Sequence, residues 1–391
     1  MTIVFYKNNE ITPNSGGISR INYTLRNSLA DSGYNCLFLS ATRNNRVVSD
    51  TSQRWLPATT QEYCEENVLW LHNYIIENDV DVVVNNCFYK SSFRLLSSAL
   101  QGTNCKLITW IHNNVVEYGS LIGFRLENKL RQKHLDFLFW LLSRHSTIQI
   151  LRYLSRCKHR STALECYKCS DRVVAVCDGN IDEFLFLLGK KDCENKILAI
   201  PNFVSAISKE VSIDEKEKSV VWCGTIDFEL KKTSWMLDIW KSIQGECPDW
   251  KLTIMGDSSQ FEKMKSYATA IGVERVIFTG RVEPDKYYRK AAIICSTSIT
   301  ESFGLTIVEG MQHKAVPVAF SCSKSLQEIV GSNGKLVKPY NKREFSSALI
   351  ELMKNNSVRE SLSERCRSVA RQYDETRIKG LWIELLSSFS C

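Results

Sequence analysis

Short apolar runs alternate with amphipathic segments along the whole 391-residue chain. The runs at 82–84 and 292–295 contain no polar residue, as is typical of strands buried on both faces of a sheet. Between such runs lie segments with apolar residues at helical spacing, for example Ile18, Ile21 and Leu25. Alternating strands and helices predict parallel sheets joined by right-handed crossovers, the doubly wound α/β class.

The chain is too long for one ordinary hydrophobic core, so two domains of this kind are expected. Polar residues dominate 208–219, which makes this segment the best linker candidate. The expected domains are an N-terminal one at 1–205 and a C-terminal one at 206–372.

The composition excludes several classes of protein. Hydrophobic residues make up 44% of the chain and charged residues 24%, the balance of a soluble globular protein. No apolar run approaches the roughly 20 residues that span a bilayer. The N-terminus has no basic segment before its short apolar run, so no signal peptide is expected. The fifteen cysteines are dispersed and are interpreted as reduced thiols, which favours a cytoplasmic location.

The positive charge of the chain is concentrated in one segment. Residues 121–172 hold eleven Lys and Arg against four Asp and Glu, a surplus equal to the net charge of +7 for the whole chain. Apolar and aromatic residues lie in the same segment, which suits contact with an anionic membrane surface, on the inner face of the cell membrane. A helix with a buried apolar side and a solvated basic side explains the pattern equally well. The segment lacks the signature of a nucleic-acid-binding fold, so no nucleic-acid partner is expected.

The strongest motif lies at 301–310, directly after an apolar run. Two carboxylates, Glu301 and Glu309, flank the start of a predicted helix, where free backbone N–H groups suit a phosphate or sugar oxygen. Glu309 could accept hydrogen bonds from paired ribose hydroxyls. Taken alone, the pair is equally consistent with a helix-capping acid and a solvated helix residue.

This motif belongs to an ordered set of residues in the second half of the chain. The set comprises Gly280, Arg281, Val282, Tyr287, Tyr288, Ala291, Ala292, Ser298, Glu301, Phe303, Gly304, Leu305, Glu309, Gly310, Pro317, Glu328 and Gly334. It resembles the retaining glycosyltransferases of family 4. Their GT-B fold consists of two facing Rossmann-like domains, and the resemblance implies that a last helix at 373–391 crosses back onto the first domain.

The resemblance implies a set of contacts to a nucleotide-sugar donor. Glu309 would hold the ribose and Glu301 would contact the donor sugar. Arg281 and Val282 would lie beside the nucleobase. The backbone amides that would meet the sugar or the distal phosphate are those of Phe303, Gly304 and Leu305.

The segment from Gly224 to Lys232 follows the first strand of the second half. The family has a Gly here, commonly an Arg next, and a Lys several residues later, which together bind the pyrophosphate. Gly224 and Lys232 match, and Lys231 is interpreted as a solvated surface residue. Thr225 replaces the Arg, so part of the charge stabilisation of a departing diphosphate is missing.

In the first half, Gly16 and Gly17 separate the first strand from the first helix, where glycines allow backbone to approach a phosphate. About half of such turns serve only close packing. His112 follows a predicted strand at its carboxyl end. The resemblance implies that the glycine turn faces the donor and that His112 contacts the donor sugar near the reacting carbon.

No metal or other cofactor is expected. Asp79 and Asp81 form an acid pair at the start of a strand, the wrong edge for a ligand of a parallel sheet. Cys157, Cys166 and Cys169 have no second well-spaced pair to complete a zinc site.

The sequence therefore predicts a retaining glycosyltransferase. It would move a hexose-type sugar from a nucleotide diphosphate donor, expected to be a UDP-sugar, to a hydroxyl acceptor that can be lipid-linked. The expected process is assembly of a bacterial-type surface polysaccharide or glycolipid, with an N-terminal domain on the acceptor side. His112, Lys232 and Glu301 are the predicted catalytic residues. A GT-B sugar-nucleotide epimerase and a non-catalytic donor-binding scaffold remain as alternatives.

Overall fold

The computed structural model describes residues 1–13, 16–43, 52–112, 145–189, 192, 195–207 and 210–389. Within these ranges the chain forms two compact units. The first comprises Met1–Asn202 with Thr376–Cys391, and the second comprises Phe203–Glu375. The predicted division at 205/206 and 372/373 falls three residues from each of these boundaries.

The first unit is built on a seven-stranded parallel sheet of order β3-β2-β1-β4-β5-β6-β7. Its strands are β1 (Thr2–Asn9), β2 (Asn35–Thr42), β3 (Gln53–Trp55), β4 (Val80–Asn85), β5 (Lys106–Ile111), β6 (Arg172–Ala175) and β7 (Ile197–Ala199). Its described helices begin with α1 (Gly17–Ala30), α2 (Glu65–Glu77), α3 (Lys90–Ala99), α4 (His145–Cys169) and α5 (Asp178–Leu188). The uninterrupted apolar run of β4 is fully buried, as predicted for a central strand.

The second unit is built on a six-stranded parallel sheet of order β10-β9-β8-β11-β12-β13. Its strands are β8 (Glu217–Cys223), β9 (Lys251–Met255), β10 (Val276–Gly280), β11 (Ala291–Ser296), β12 (Val316–Phe320) and β13 (Lys335–Val337). Its helices are α6 (Thr233–Ile243), α7 (Phe261–Ala270), α8 (Asp285–Lys290), α9 (Leu305–Gln312), α10 (Lys324–Val330), α11 (Lys342–Lys354) and α12 (Asn356–Ala370). Short 3₁₀ turns lie at Ile213–Glu215 and Arg371–Tyr373.

Both sheets have the Rossmann strand order, in which the chain reverses direction across the sheet between β1 and β4 and between β8 and β11. Ligands of such sheets bind outside the carboxyl ends of the strands at this switch point. The residues that follow β1, β4, β8 and β11 are therefore the ones to examine for a site.

The last helix, α13 (Glu375–Ser387), packs in the first unit. Its Trp382 is fully buried, and the ring lies 4.7 Å from that of Trp110 on β5, edge to face. Contacts of this kind stabilise a packed aromatic pair beyond the area that they bury.

One prediction from sequence differs from the structure. Residues 217–219 of the predicted linker form the start of β8, because Glu217 pairs with Lys251 on the neighbouring strand and Ser219 is buried.

Part of the basic segment, 121–144, lies outside the described residues. The rest of it forms α4 and continues to the start of β6. No helix in the described part of the chain is long and apolar enough to cross a membrane.

Glycines at the carboxyl ends of β8, β9 and β10 link these strands by backbone hydrogen bonds. Gly224 donates its N–H to Met255, and Gly256 donates its N–H to Gly280 at 2.9 Å. Gly256 has a φ of 134°, and a Cβ at this position would lie 1.8 Å from the carbonyl oxygen of Gly224. Only glycine fits here, because any side chain would push against backbone.

We expect Gly256→Ala to destabilise the protein by about 3 kcal/mol, since it adds both backbone strain and a steric clash. The unfolding temperature should fall by about 6–12 °C in a thermal melt. Gly245→Ala is the matched control, because a Cβ at Gly245 would meet no atom within 4 Å. Equal melting temperatures for the two variants would contradict this account.

Candidate functional site

The loop between β8 and α6 is held by one carboxylate. Asp227 accepts hydrogen bonds from the backbone N–H groups of Glu229 and Leu230, the latter at 2.6 Å. Its own carbonyl accepts from the N–H of Thr233 at 2.9 Å. These bonds fold residues 227–233 into a compact turn that presents Lys231 and Lys232 in front of α6.

Lys232 occupies the N-cap of α6 with φ 49° and ψ 43°, the left-handed region that non-glycine residues rarely adopt. The residue is 7% exposed, and its ammonium lies 4.8 Å from the centre of the Trp235 ring. A non-glycine residue in this conformation persists only where its surroundings enforce it, and such residues cluster at functional sites.

Lys231 is not the solvated surface residue that the sequence suggested. Its ammonium forms an ion pair and a hydrogen bond with the carboxylate of Glu301, and the two side chains are 32% and 15% exposed. Burial disfavours the charged lysine, but the Glu301 carboxylate outweighs this and raises the pKa of Lys231. The interpretation failed because the partner is 70 positions away in sequence.

Glu301 comes from the loop between β11 and α9. This loop lies against residues 227–233, the lysine loop, because β8 and β11 are neighbours in the sheet. The N–H of Ile299 donates to the carbonyl of Leu230 at 2.9 Å, which joins the two loops through their backbones. The structure thus brings together Lys231, Lys232 and Glu301 at the switch point of the second sheet.

The start of α9 supplies backbone donors. Gly304 is its N-cap with φ 102°, in the left-handed region, and a Cβ there would lie 2.6 Å from Leu326. Among the described residues, the N–H groups of Phe303, Gly304 and Leu305 have no hydrogen-bond acceptor. First-turn N–H groups with the positive end of the helix dipole form an anion-binding site.

Glu309 lies one turn further along α9 and has a partner that the sequence did not reveal. The hydroxyl of Tyr288 donates to Glu309 Oε2 at 3.1 Å. Tyr288 is 1% exposed, so burial first and the Glu309 carboxylate second raise its pKa well above the ordinary value. Tyr288 therefore remains a hydrogen-bond donor and fixes one oxygen of Glu309.

The remaining predicted residues of the second unit lie around this centre. Gly224 and the exposed Thr225 follow β8 directly. Arg281, exposed, and Val282, partly buried, follow β10, which is two strands away from β8 at the edge of the sheet. The structure therefore does not bring Arg281 next to the lysine loop.

The first unit has a similar arrangement at the switch point of its own sheet. Gly16 precedes α1 with φ 109°, and Gly17 is the first residue of that helix. The loop residues 14 and 15 before them lie outside the described residues. Asn86 follows β4 and donates its side-chain amide to the carbonyl of Tyr6 on β1 at 3.2 Å.

Asn86 also fixes the protonation of His112. Its Nδ2 donates to backbone, so its Oδ1 is the acceptor for Asn22 Nδ2 at 2.9 Å and for His112 Nε2 at 2.8 Å. His112 therefore carries its proton on Nε2, and Nδ1 is an acceptor. Among the described residues, the buried Nδ1 makes no hydrogen bond of good geometry, and the side chain of Asn202 is a further polar neighbour of the ring.

His112 is neutral at physiological pH. The residue is 3% exposed and its ring lies 4.2 Å from that of Trp110. Burial, followed by the positive charge of Lys7, lowers the pKa of His112 to about 3. It can accept a hydrogen bond from a hydroxyl but cannot act as a cation. Asn86 was missed in the sequence, although a polar pair after an apolar strand is the signal that could have found it.

Comparison with known proteins gives these features a context. A family model described as Glycosyl transferases group 1 matches residues 217–355. An uncharacterized glycosyltransferase of Haemophilus influenzae is 24% identical over 383 residues, which are 95% of this chain and 96% of that protein. The lipopolysaccharide 1,6-galactosyltransferase of Salmonella typhimurium is 27% identical over 186 residues, which are 45% of this chain and 50% of that enzyme.

The fold has solved counterparts over the whole chain. The crystal structure of Anabaena HepE in complex with UDP and glucose matches with a TM-score of 0.73 at 15% sequence identity. The match covers 99% of this chain and all of that one. The predicted class, two Rossmann-like doubly wound domains, is confirmed. Residues 217–355 match the model of the glycosyl transferases group 1 family, and the whole chain has the GT-B fold.

Proposed function

We propose that this protein transfers a hexose-type sugar from a UDP-sugar to a hydroxyl acceptor, with retention of the anomeric configuration. The observation that carries the proposal is the meeting of Lys231, Lys232 and Glu301 beside the free amides that open α9, inside the group 1 domain. Relatives that support the donor and the process are the Salmonella lipopolysaccharide galactosyltransferase and HepE with UDP and glucose. The product would be a bacterial-type surface polysaccharide or glycolipid.

The second unit binds the donor in this proposal. Glu309, held by Tyr288, accepts hydrogen bonds from the ribose hydroxyls. The amides of Phe303, Gly304 and Leu305 bind the distal phosphate or the sugar, and Glu301 binds a sugar hydroxyl. Arg281 and Val282 lie beside the nucleobase.

Departure of the diphosphate builds negative charge that must be neutralised where it forms. Lys232 occupies the lysine position of the family motif and is the cation for this step, while Lys231 pairs with Glu301. Thr225 offers a hydroxyl and no charge, so Lys232 and the N-terminus of α9 carry the stabilisation together. The leaving phosphate helps to deprotonate the acceptor, and catalysis consists mainly of positioning and charge stabilisation.

The first unit contributes neutral groups. His112 accepts a hydrogen bond from a donor-sugar hydroxyl through Nδ1, and the turn at Gly16 and Gly17 meets the donor through backbone. The acceptor binds to this unit.

The experiment that tests the function incubates the protein with a panel of sugar nucleotides, with and without hydroxyl acceptors, and follows nucleotide diphosphate release. Acceptor-dependent release from a UDP-sugar is expected. Conversion of the sugar nucleotide without acceptor would indicate an epimerase, and binding without turnover would indicate a non-catalytic donor-binding protein.

The protein also associates with anionic membranes from the cytoplasmic side in this proposal, through α4. Ile150, Tyr153 and Leu154 on this helix are 59%, 58% and 54% exposed, and their spacing places them on one face. Lys158 is exposed one turn further. Apolar residues beside a cation suit the interface of an anionic bilayer, and a lipid-linked acceptor would be met there.

Other basic residues of α4 have partners within the protein. The guanidinium groups of Arg152 and Arg156 stack on the ring of Phe186 at 5.2 and 5.5 Å. Arg160 donates to the carbonyl of Leu188. Substituting these three would disturb packing as well as charge.

For the leaving group, we expect Lys232→Ala to lower kcat/KM, mainly through kcat. The fall should correspond to a loss of about 2–4 kcal/mol in transition-state stabilisation. Lys231→Ala should change kcat less than about tenfold and act mainly on the KM of the donor, because it frees Glu301 from its partner. Steady-state kinetics of both variants check this. A larger loss of kcat in Lys231→Ala would mean that Lys231 carries the leaving-group charge.

For His112, we expect a pH-dependent stability. Its pKa is about 3 in the folded protein and about 6.5 when unfolded, so the unfolded chain binds the extra proton between these values. Stability is lost as pH falls through this window, by about 2 kcal/mol at pH 5 relative to neutral pH. Denaturant unfolding of wild type and His112→Asn at both pH values measures it. An unchanged pH dependence in the variant would contradict a buried neutral histidine.

For membrane association, the wild-type protein should sediment with anionic liposomes at low salt and be released as salt rises. Tyr153→Ser with Leu154→Ser should lower the bound fraction about tenfold, because apolar burial in the interface is lost. Leu69→Ser with Ile76→Ser is the matched control, since these α2 residues are 61% and 55% exposed. Equal losses in both double variants, or no sedimentation of the wild type, would refute the α4 surface.

A further inference from the structure

A buried hydroxyl connects the two loops of the donor site. Thr297 follows β11 and has no exposed surface. Its Oγ1 lies 3.1 Å from Nε1 of Trp222 on β8, 3.0 Å from the carbonyl oxygen of Lys231 and 3.1 Å from that of Lys232. Both lysine carbonyls are thus within reach of one side chain.

The direction of these hydrogen bonds follows from the groups involved. An indole N–H can only donate, so Trp222 occupies a lone pair of the threonine oxygen. The single hydroxyl proton of Thr297 must then point at the lysine carbonyls, which can only accept. Trp222 itself is 2% exposed and held in the sheet, so it anchors the hydroxyl orientation.

The lysine loop needs such an anchor. Lys232 has a left-handed backbone conformation, which is energetically unfavourable in a residue other than glycine. Asp227 holds the residues before and after the two lysines, and Thr297 holds the carbonyls of the lysines themselves. The backbone at Lys232 sets the direction in which its side chain leaves the loop, and the contact with the Trp235 ring holds the ammonium at the far end.

We propose that Thr297 is the positioning residue for Lys232, through the hydrogen bond in which its single hydroxyl proton is shared between the backbone carbonyls of Lys231 and Lys232. The inference rests on the proposed function, in which Lys232 neutralises the leaving diphosphate. Thr297 touches neither the donor nor the acceptor and acts only through the lysine.

The primary test compares Thr297→Val with Thr297→Ser in steady-state kinetics. Valine has the shape of threonine without the hydroxyl, so kcat should fall tenfold or more while the KM of the donor changes less than threefold. Serine keeps the hydroxyl, so kcat should return to within threefold of wild type. Thr253→Val is the matched control, because it is the same substitution at a 3% exposed position of the same sheet, and its kcat should stay within twofold.

A double-variant cycle separates positioning from simple support of the fold. In a Lys232→Ala background, Thr297→Val should cause less than a twofold further loss of kcat, since the group that it positions is gone. If Thr297→Val does not fold, Thr297→Ala takes its place, because it removes the same hydroxyl with less strain. Its kcat is then measured alone and together with Lys232→Ala.

Three results would overturn the proposal: full kcat in the hydroxyl-free variants, failure of serine to restore kcat, or a full additional loss in the Lys232→Ala background. Failure of the proposed function looks different. In that case the wild-type protein itself releases no nucleotide diphosphate from any donor of the panel.

Discussion

The reversal of strand order between β8 and β11 is the constraint on which the candidate site depends. Right-handed crossovers send the chain after β8 to one face of the sheet and the chain after β11 to the other. Two loops therefore leave neighbouring strands in opposite directions, and a crevice opens between them. Backbone and side-chain hydrogen bonds at Thr297 and Ile299 join the two loops, and the Lys231–Glu301 ion pair connects them again. The first sheet repeats the arrangement at β1 and β4, where Asn86 makes the link.

Most of this framework could be predicted from the sequence, because a strand buried on both faces is apolar over most of its length. β4 and β11 are such strands, and both were located from their runs alone. The short edge strands β3 and β13 were not, since three residues with little burial leave no periodic signal. The linker was placed too far into the second unit, because the charged residues at the start of β8 look like a loop until their strand partners are known. Helices such as α9 were predicted well because a glycine marks the start and apolar spacing marks the buried face.

The site was predicted less completely than the fold. Residues at the carboxyl ends of strands could be placed from the motif around Glu301, since position along the chain determines position along the sheet edge. Their mutual contacts could not. Lys231 and Lys232 are adjacent, and only the left-handed turn at Lys232 decides that one ammonium meets Glu301 while the other lies against Trp235. Tyr288, Asn86 and Thr297 act on the predicted residues through contacts between elements distant in sequence, which no local pattern contains.

The electrostatics of the two units differ in a way that suits transfer of a sugar from a diphosphate. In the second unit the pair of Lys231 with Glu301 leaves no net charge, and Thr225 adds none, so under the proposed function the charge balance toward a diphosphate would depend on Lys232 and on the α9 dipole. A partial helix charge and one ammonium do not cancel two phosphate charges in a dry site, and each must be well placed to be effective. In the first unit His112 is kept neutral by burial and by the charge of Lys7, so it cannot compete with Lys232 for the phosphate. Under the proposed function, a neutral acceptor in the first unit would meet the sugar and a positioned cation in the second would meet the diphosphate, which is the separation that cleavage of the bond between them requires.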